Sequence, residues 1–165
     1  MGGEIMKRGP SRRVLLGGLG ALALPMPGWA AKPCRVTRVL FVCQKGSVKS
    51  AIAREELRRE VKVRGLAVEV QSRGISPAND ISPGLATHLK AEGINPLADP
   101  IRRFTKADAE RSDLTIAFDE AVSAPGLEHA RKWHSPSWND DYANAKAVMD
   151  SRIPALADEL AKRPC

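Results

Sequence analysis

The sequence predicts a doubly wound α/β sandwich, a central parallel four-stranded sheet flanked by helices, and three observations carry that expectation. The segments "RVTRVLFVC" (35–43) and "DLTIAFD" (113–119) have the apolar density of strands covered on both faces. Segments of helical spacing alternate with the strands, the order that crossover helices on a parallel sheet require. A chain of 165 residues, 43% hydrophobic and 27% charged, is long enough for one domain with a real core.

The first strand, 35–43, runs into "KSAIAREELRREVKVRG", a helix whose Ala51, Ile52, Leu57 and Val61 supply an apolar stripe and which Gly65 ends. "LAVEVQSRG" (66–74) alternates as a second strand. "ISPANDISP" (75–83) is loop, rich in Pro, Asn, Asp and Ser. "GLATHLKAEG" (84–93) reads as a helix closed by Gly93, and "TKADAERS" (105–112) as a short helix capped by Thr105. The third strand is 113–119 and the fourth "HARKWH" (129–134). After the turn "SPSW", residues 139–163 form a long last helix with Pro154 as an expected kink. In such sheets ligands sit beyond the carboxyl ends of the strands, and Cys43 stands at one such end.

Residues 1–30 are a different kind of sequence. Lys7, Arg8, Arg12 and Arg13 precede an apolar run from Val14 to Leu24, then Pro25, Pro27 and a small-residue site ending at Ala30. That order is an export signal rather than part of the fold, with cleavage expected after Gly28-Trp29-Ala30. The paired arginines of "SRRVLL" resemble a twin-arginine signal, which implies the twin-arginine export machinery as a partner and, in a bacterium, the periplasm as destination. Lys32-Pro33 before Cys34 argues against a lipoprotein. The domain proper is then 31–165. The signal holds four of the 26 Lys/Arg and one of the 19 Asp/Glu, which leaves 22 against 18, a net of +4 rather than +7. This mild positive charge suits a small anionic or phosphorylated substrate. Without a dense Lys/Arg stripe interleaved with aromatics, it does not suggest nucleic acid. No stretch reaches the roughly 18 consecutive apolar residues of a membrane span.

Three cysteines remain after residue 30: Cys34, Cys43 and Cys165. With 36–43 extended, Cys34 and Cys43 lie about 30 Å apart at ~3.3 Å per residue. A disulfide spans only about 4.4–6.8 Å between Cα atoms. Cys43 is therefore expected as a free thiol. His88, His129 and His134 have no ligand spacing with cysteines or acids, so neither a metal nor another cofactor is expected.

The segment "CQKGSVKS" (43–50) carries the chemistry. A strand ends, a loop with Gly46 and Ser47 turns, and a helix begins near Lys49. The first amides of that helix are unpartnered and bear partial positive charge, so anions bind there readily. Lys45 and Lys49 add full charges. A thiol in this field is favoured as thiolate, the nucleophilic form, beside an anion cradle suited to attack on phosphorus or a similar oxyanion. A strand-end cysteine before a helix is otherwise an ordinary buried thiol, and spacing alone leaves both readings open.

"VLFVCQKGSVKSAIARE" resembles the start of the low-molecular-weight protein tyrosine phosphatase family, which includes arsenate reductases. Its loop is Cys, five residues, Arg, then Ser or Thr. "VEVQSRGISP" is similar to that family's second strand and exit, and "SDLTIAFDEAV" to its third strand with a terminal Asp, so the resemblance covers most of 36–163. It implies a phosphocysteine on Cys43, a hydrogen bond from Ser50 to the thiolate, and a phosphate held by the loop of Gln44, Lys45, Gly46, Ser47, Val48 and Lys49. It thus implies a hydrolase of phosphotyrosine-type monoesters.

The departures from the family pattern are specific. Lys49 stands where the family has arginine, and a compact ammonium cannot grip two phosphate oxygens as the planar guanidinium does, so a weaker enzyme is expected. Lys45-Gly46 replaces Gly-Asn; glycine can take the left-handed backbone that Asn tolerates. The family's acid is an Asp before Pro on a loop after the fourth strand. Here "WHSPSWNDDY" has His134 before Ser135-Pro136, with Asp140 and Asp141 following. Asp140 is the candidate acid, although both aspartates could instead cap the last helix. Asp119 either lines the pocket or is structural. A relay through thioredoxin needs further cysteines in mid-chain, and none lies between Cys43 and Cys165, which makes arsenate reduction the weaker alternative. A non-catalytic protein that binds an oxyanion or phosphorylated ligand on the same loop is the stronger one.

Overall fold

A computed structural model describes residues 35–163. The export segment, Cys34 and Cys165 lie outside the described residues. The elements run β1 (Thr37–Cys43), α1 (Lys49–Arg64), β2 (Val68–Gly74), α2 (Pro83–Ala91), α3 (Lys106–Glu110), β3 (Leu114–Phe118), a 3-10 helix (Asp119–Ser123), β4 (Arg131–Trp133) and α4 (Tyr142–Ala161). All four strands are parallel in the order β2-β1-β3-β4, as the alternation predicts. The 3-10 helix after β3 is the one element the sequence reading lacks. Among the described residues no helix is long and apolar enough to cross a membrane.

The chain leaves β1 for β2 on one side and returns to pair β3 on the other. The strand order therefore reverses at β1, and the crevice opens at the carboxyl ends of β1 and β3. Cys43 ends the first of these strands and Asp119 follows the second.

β1 is buried on both faces because its alternate side chains feed two cores. Val39, Phe41 and Cys43 pack with Ile52 and Leu57 of α1 and with Met149, Ile153 and Leu156 of α4. Leu40 and Val42 pack with Ala117, Ala121 and Leu127 on the other face. Phe41, Phe118 and Trp133 stack across neighbouring strands with ring centroids 5.8–6.2 Å apart, which ties the three strands whose ends frame the crevice.

Helix ends follow the local signals. Gly65 closes α1 with φ 63, and Ser82 caps α2 by accepting the Leu85 amide. α1 buries more than its apolar stripe: Arg54 is fully enclosed, donating to Ser72 Oγ, the Pro96 carbonyl and Glu55 Oε1 at 2.8–2.9 Å. A charged residue at helical spacing reads as surface, and these partners, with Asp99 at 3.7 Å, make its burial tolerable. α4 continues through Pro154 to Ala161. The helix carries Pro154 in its interior, where proline removes the N–H that the Asp150 carbonyl would otherwise accept.

Candidate active site

The loop from Cys43 to Ser50 is shaped by its neighbour rather than by its own side chains. The Ile75 amide donates to the Cys43 carbonyl, Ser76 to that of Gln44, and Ala78 to that of Lys45, at 2.8–3.1 Å. Three successive carbonyls thus face the exit of β2. In a trans peptide the N–H points opposite its C=O, so the amides of Gln44, Lys45 and Gly46 face the other way. The Gly46 N–H donates to Cys43 Sγ at 3.1 Å. The Ser50 hydroxyl lies 3.1 Å from the same sulfur, and also donates to the Arg73 carbonyl at 3.3 Å. These amides and the first turn of α1 form a concave set of donors around a buried thiol.

Two glycines make this approach possible. Gly46 has φ +78, and a Cβ there would sit 2.9 Å from the Gly74 nitrogen. A Cβ on Gly74 would sit 2.7 Å from the Lys45 carbonyl carbon and oxygen. The left-handed turn expected at Gly46 is present. Its counterpart Gly74, in the strand that carries the pinning segment, has no signal in the loop itself.

Lys49 opens α1 and turns its ammonium away from the sulfur's donors. Its Nζ donates to Asp119 Oδ2 at 2.5 Å and to the Ser135 carbonyl at 2.8 Å. Asp119 also accepts the Ser135 amide at 3.2 Å, and its Oδ1 lies 2.6 Å from His134 Nδ1. Asp119 therefore lines the cleft and also binds β3 to the loop after β4. It has φ 50, a strained value for a residue other than glycine.

Cys43, Gln44, Lys45, Val48 and Lys49 line one side of a cleft of about 250 Å³. Phe118, Asp119, Glu120, Ser137, Trp138, Asn139 and Asp80 line the rest. Gly46 and Ser47 support the floor: Ser47 is fully buried and its hydroxyl accepts the Asp80 amide at 3.3 Å. Lys45 reaches Asp80 at 3.5 Å. Both rim lysines thus face carboxylates, while the loop's backbone amides and the buried indole N–H of Trp138, which has no partner among the described residues, are donors without a carboxylate opposite them.

The residues expected to supply an acid fall elsewhere. Ser135 precedes Pro136, is 1% exposed, and donates its hydroxyl to the Pro136 carbonyl. Asp141 caps α4 by accepting the Asn144 amide, the capping role that its position allows. Asp140 accepts the Ser137 hydroxyl at 2.6 Å and is not among the residues lining the cleft. His134 stands exposed outside it, against Asp119. The sequence reading missed Asp80, Glu120 and Trp138. Glu120 had a usable signal, since it follows a parallel strand's carboxyl end as Cys43 does; Asp80 and Trp138 reach the cleft only through tertiary packing.

Comparison with known proteins agrees with this architecture. The pattern of the low molecular weight phosphotyrosine protein phosphatase family matches residues 38–162. No curated protein matches the chain significantly. Among solved structures, a low molecular weight phosphotyrosine phosphatase from Vibrio cholerae is 19% identical with a TM-score of 0.61, over 78% of this chain and 99% of that one. The arginine phosphatase YwlE of Bacillus subtilis is 16% identical with a TM-score of 0.60, over 76% of this chain and 97% of that one. A thioredoxin-dependent arsenate reductase from Corynebacterium glutamicum is 27% identical with a TM-score of 0.55, over 78% of this chain and 63% of that one.

Proposed function

The chain belongs to the low molecular weight phosphotyrosine protein phosphatase family, and on that premise we propose that it hydrolyses phosphate monoesters of the phosphotyrosine type through a phosphocysteine on Cys43. The observation that carries this reading is the inward set of amides from Gln44 to Gly46 around a sulfur already accepting one of them at 3.1 Å. Such donors hold a phosphoryl group's oxygens and stabilise the charge of its transition state. The Cys43 thiolate attacks phosphorus, the ester P–O bond breaks, and its electron pair leaves with the alcohol oxygen, which takes up a proton. Water then displaces the thiolate and releases inorganic phosphate. Ser50, at 3.1 Å, supports the sulfur as leaving group by turning its one O–H from the Arg73 carbonyl to the thiolate.

Lys49 occupies the arginine's place but is held by Asp119 and the Ser135 carbonyl. Two of its three protons are engaged, so it contributes less to the transition state than a free bidentate guanidinium. The same observation favours a second reading, a phosphate-binding protein that turns over little. The discriminating experiment is hydrolysis of an aryl phosphate under reducing conditions by residues 31–165, beside Cys43→Ser and Lys49→Arg. Turnover lost in the serine variant and raised in the arginine variant supports the enzyme. No turnover in any of the three, with phosphate still protecting the Cys43 thiol from alkylation, supports the binding protein.

The basic, apolar and small-residue order of residues 7–30 motivates a further part of the proposal, export by the twin-arginine route to the periplasm. Fractionation of a bacterium expressing the full chain tests it. A shortened chain in the periplasm that vanishes when Arg12 and Arg13 become Lys is the expected result, and full-length chain confined to the cytoplasm rejects it.

A further inference from the structure

The phosphatase reading leaves one atom without a source, the proton that the departing alkoxide must receive. Five polar side chains stand near enough to be asked. The Ser135 hydroxyl, in the position before proline, is enclosed and turned to the Pro136 carbonyl. Asp140 does not line the cleft itself, and its carboxylate is engaged by the hydroxyl of Ser137, which does. Asp119 has both oxygens taken, one by Lys49 and the other by His134 and the Ser135 amide. Asp80 faces Lys45. Glu120 borders the cleft that Cys43 lines, is exposed to it, and makes no side-chain hydrogen bond or ion pair among the described residues.

The backbone explains how Glu120 comes to be there. Successive side chains of an extended chain point to opposite sides, so two consecutive residues do not ordinarily line one cavity. At Asp119 the chain takes φ 50 and enters the 3-10 helix. That turn lets Asp119 and Glu120 border the same cleft, the first locked in the Lys49 ion pair and the second unpartnered. Left-handed backbone at a non-glycine residue persists only where the surroundings hold it, and here Lys49, His134 and the Ser135 amide hold the strained residue by its carboxylate.

Resting on the phosphatase reading, we propose that Glu120 is the catalytic acid of this chain, filling the role that Ser135-Pro136 does not. Its carboxyl O–H protonates the leaving oxygen as the P–O bond breaks. Its carboxylate then takes a proton from the water that attacks the phosphocysteine, as the P–S bond breaks and the electron pair returns to sulfur. One ester and one water give one alcohol and one inorganic phosphate, and Glu120 ends protonated as it began.

The test is a series of aryl phosphates from p-nitrophenyl to phenyl phosphate, turned over by the parent, Glu120→Gln, Glu120→Asp and Asp140→Asn. General acid catalysis is worth about 10²- to 10⁴-fold, so Glu120→Gln should lose about 10²-fold or more in kcat on phenyl phosphate. The loss should shrink as the leaving group becomes more acidic and needs the proton less. The decline of kcat on the alkaline side of the pH profile should disappear in Glu120→Gln and persist in Glu120→Asp. A rim charge that acts only on substrate attraction would change KM equally for every ester. Equal kcat for parent and Glu120→Gln across the series, or the leaving-group pattern appearing in Asp140→Asn instead, overturns the assignment while the phosphatase reading stands. Absence of turnover by the parent on every ester overturns both.

Discussion

The two loops that wall the cleft are held by different means. The loop of Cys43–Ser50 is fixed through its backbone, with three carbonyls bonded in sequence to residues 75–78 and glycines interlocked at 46 and 74. The loop of His134–Asp141 is fixed through side chains that come from elsewhere in the chain. Lys49 and Asp119 take the Ser135 carbonyl and amide, and Ser82 donates to Asn139 Oδ1 at 2.8 Å. A loop pinned mainly through its backbone is less sensitive to single side-chain changes, although Cys43, Ser47 and Ser50 each add a side-chain hydrogen bond to it. A side-chain-pinned loop can be released by one distant substitution. The shape of the anion cradle is therefore set independently of the loop across the cleft, which depends on the second kind of support.

The largest expected effect comes from breaking the first loop where it is backbone against backbone. Gly74→Ala places a methyl 2.7 Å from the Lys45 carbonyl carbon and oxygen, and neither peptide can yield as a side-chain tip would. We expect turnover to fall by two orders of magnitude or more and stability by roughly 1–3 kcal/mol, the usual range for forced overpacking. Urea unfolding and kcat/KM on the same preparation check this. A Gly74→Ala variant with parental activity would mean that the cradle is not set by this contact.

Asp119→Asn attacks the second loop from a distance. The amide keeps the shape but removes the charge that Lys49 faces across 2.5 Å in a partly buried pair. Losing a hydrogen bond between charged groups costs about 1.5–3 kcal/mol, and the expected loss is nearer the lower bound because Lys49 retains the Ser135 carbonyl. Limited proteolysis should show new cleavage within 134–141 and none within 43–50. Equal protection of both loops would remove the distinction between them.

The same difference decides what the sequence could disclose. The cradle was legible because its parts are contiguous: an apolar strand, Cys43, a loop glycine at 46 and a helix start at 49 lie within a dozen residues. The parallel sheet was legible for the same reason, since each strand and each helix carries its own periodicity. Nothing in 134–141 announces that Lys49 will grip the Ser135 carbonyl, because that contact depends on packing between residues 86 positions apart. Glu120 had a signal in its place after a strand's carboxyl end, but which side of the chain it takes depends on a single dihedral angle. An extended Asp119 would send its neighbour to the opposite side, and φ 50 is not written in the residue's identity. Buried Arg54 was missed likewise, its three partners lying in α1, β2 and the segment after α2.

The second loop runs directly into α4, so the contact of α4 with α1 is its far support, and that contact titrates. Glu56 of α1 is buried beside Lys146 of α4 at 3.6 Å, with Asp150 and Glu92 close to the same lysine. Burial, the largest influence, outweighs Lys146 and pushes the Glu56 carboxyl from 4.5 up to about 7. A group whose proton is held more tightly in the folded state gives stability that is fully present below its unfolded pKa and lost as pH rises through the folded one. The Glu56 contribution should therefore decline between about pH 4.5 and 7, by on the order of 3 kcal/mol. Glu56→Gln should flatten that slope and be more stable than the parent at pH 8, with little difference at pH 4. Urea midpoints across this range measure it, and parallel slopes for the two proteins would assign the titration to other groups.

Ser82→Ala is the gentlest change and the most selective. Ser82 accepts the Leu85 amide as the cap of α2 and donates to Asn139 of the second loop. Loss of the cap costs about 1 kcal/mol, and Ser82→Asp should restore it, because an aspartate is an equally good cap. An ionised carboxylate can only accept, however, so it cannot replace the hydroxyl's donation to Asn139 Oδ1. If that hydrogen bond positions the second loop, Ser82→Asp recovers stability while KM for an aryl phosphate stays raised about two- to threefold, the effect of a fraction of 1 kcal/mol. Recovery of both together would mean that the second loop takes nothing from α2, and that Asp119 and Lys49 alone hold it against the cleft.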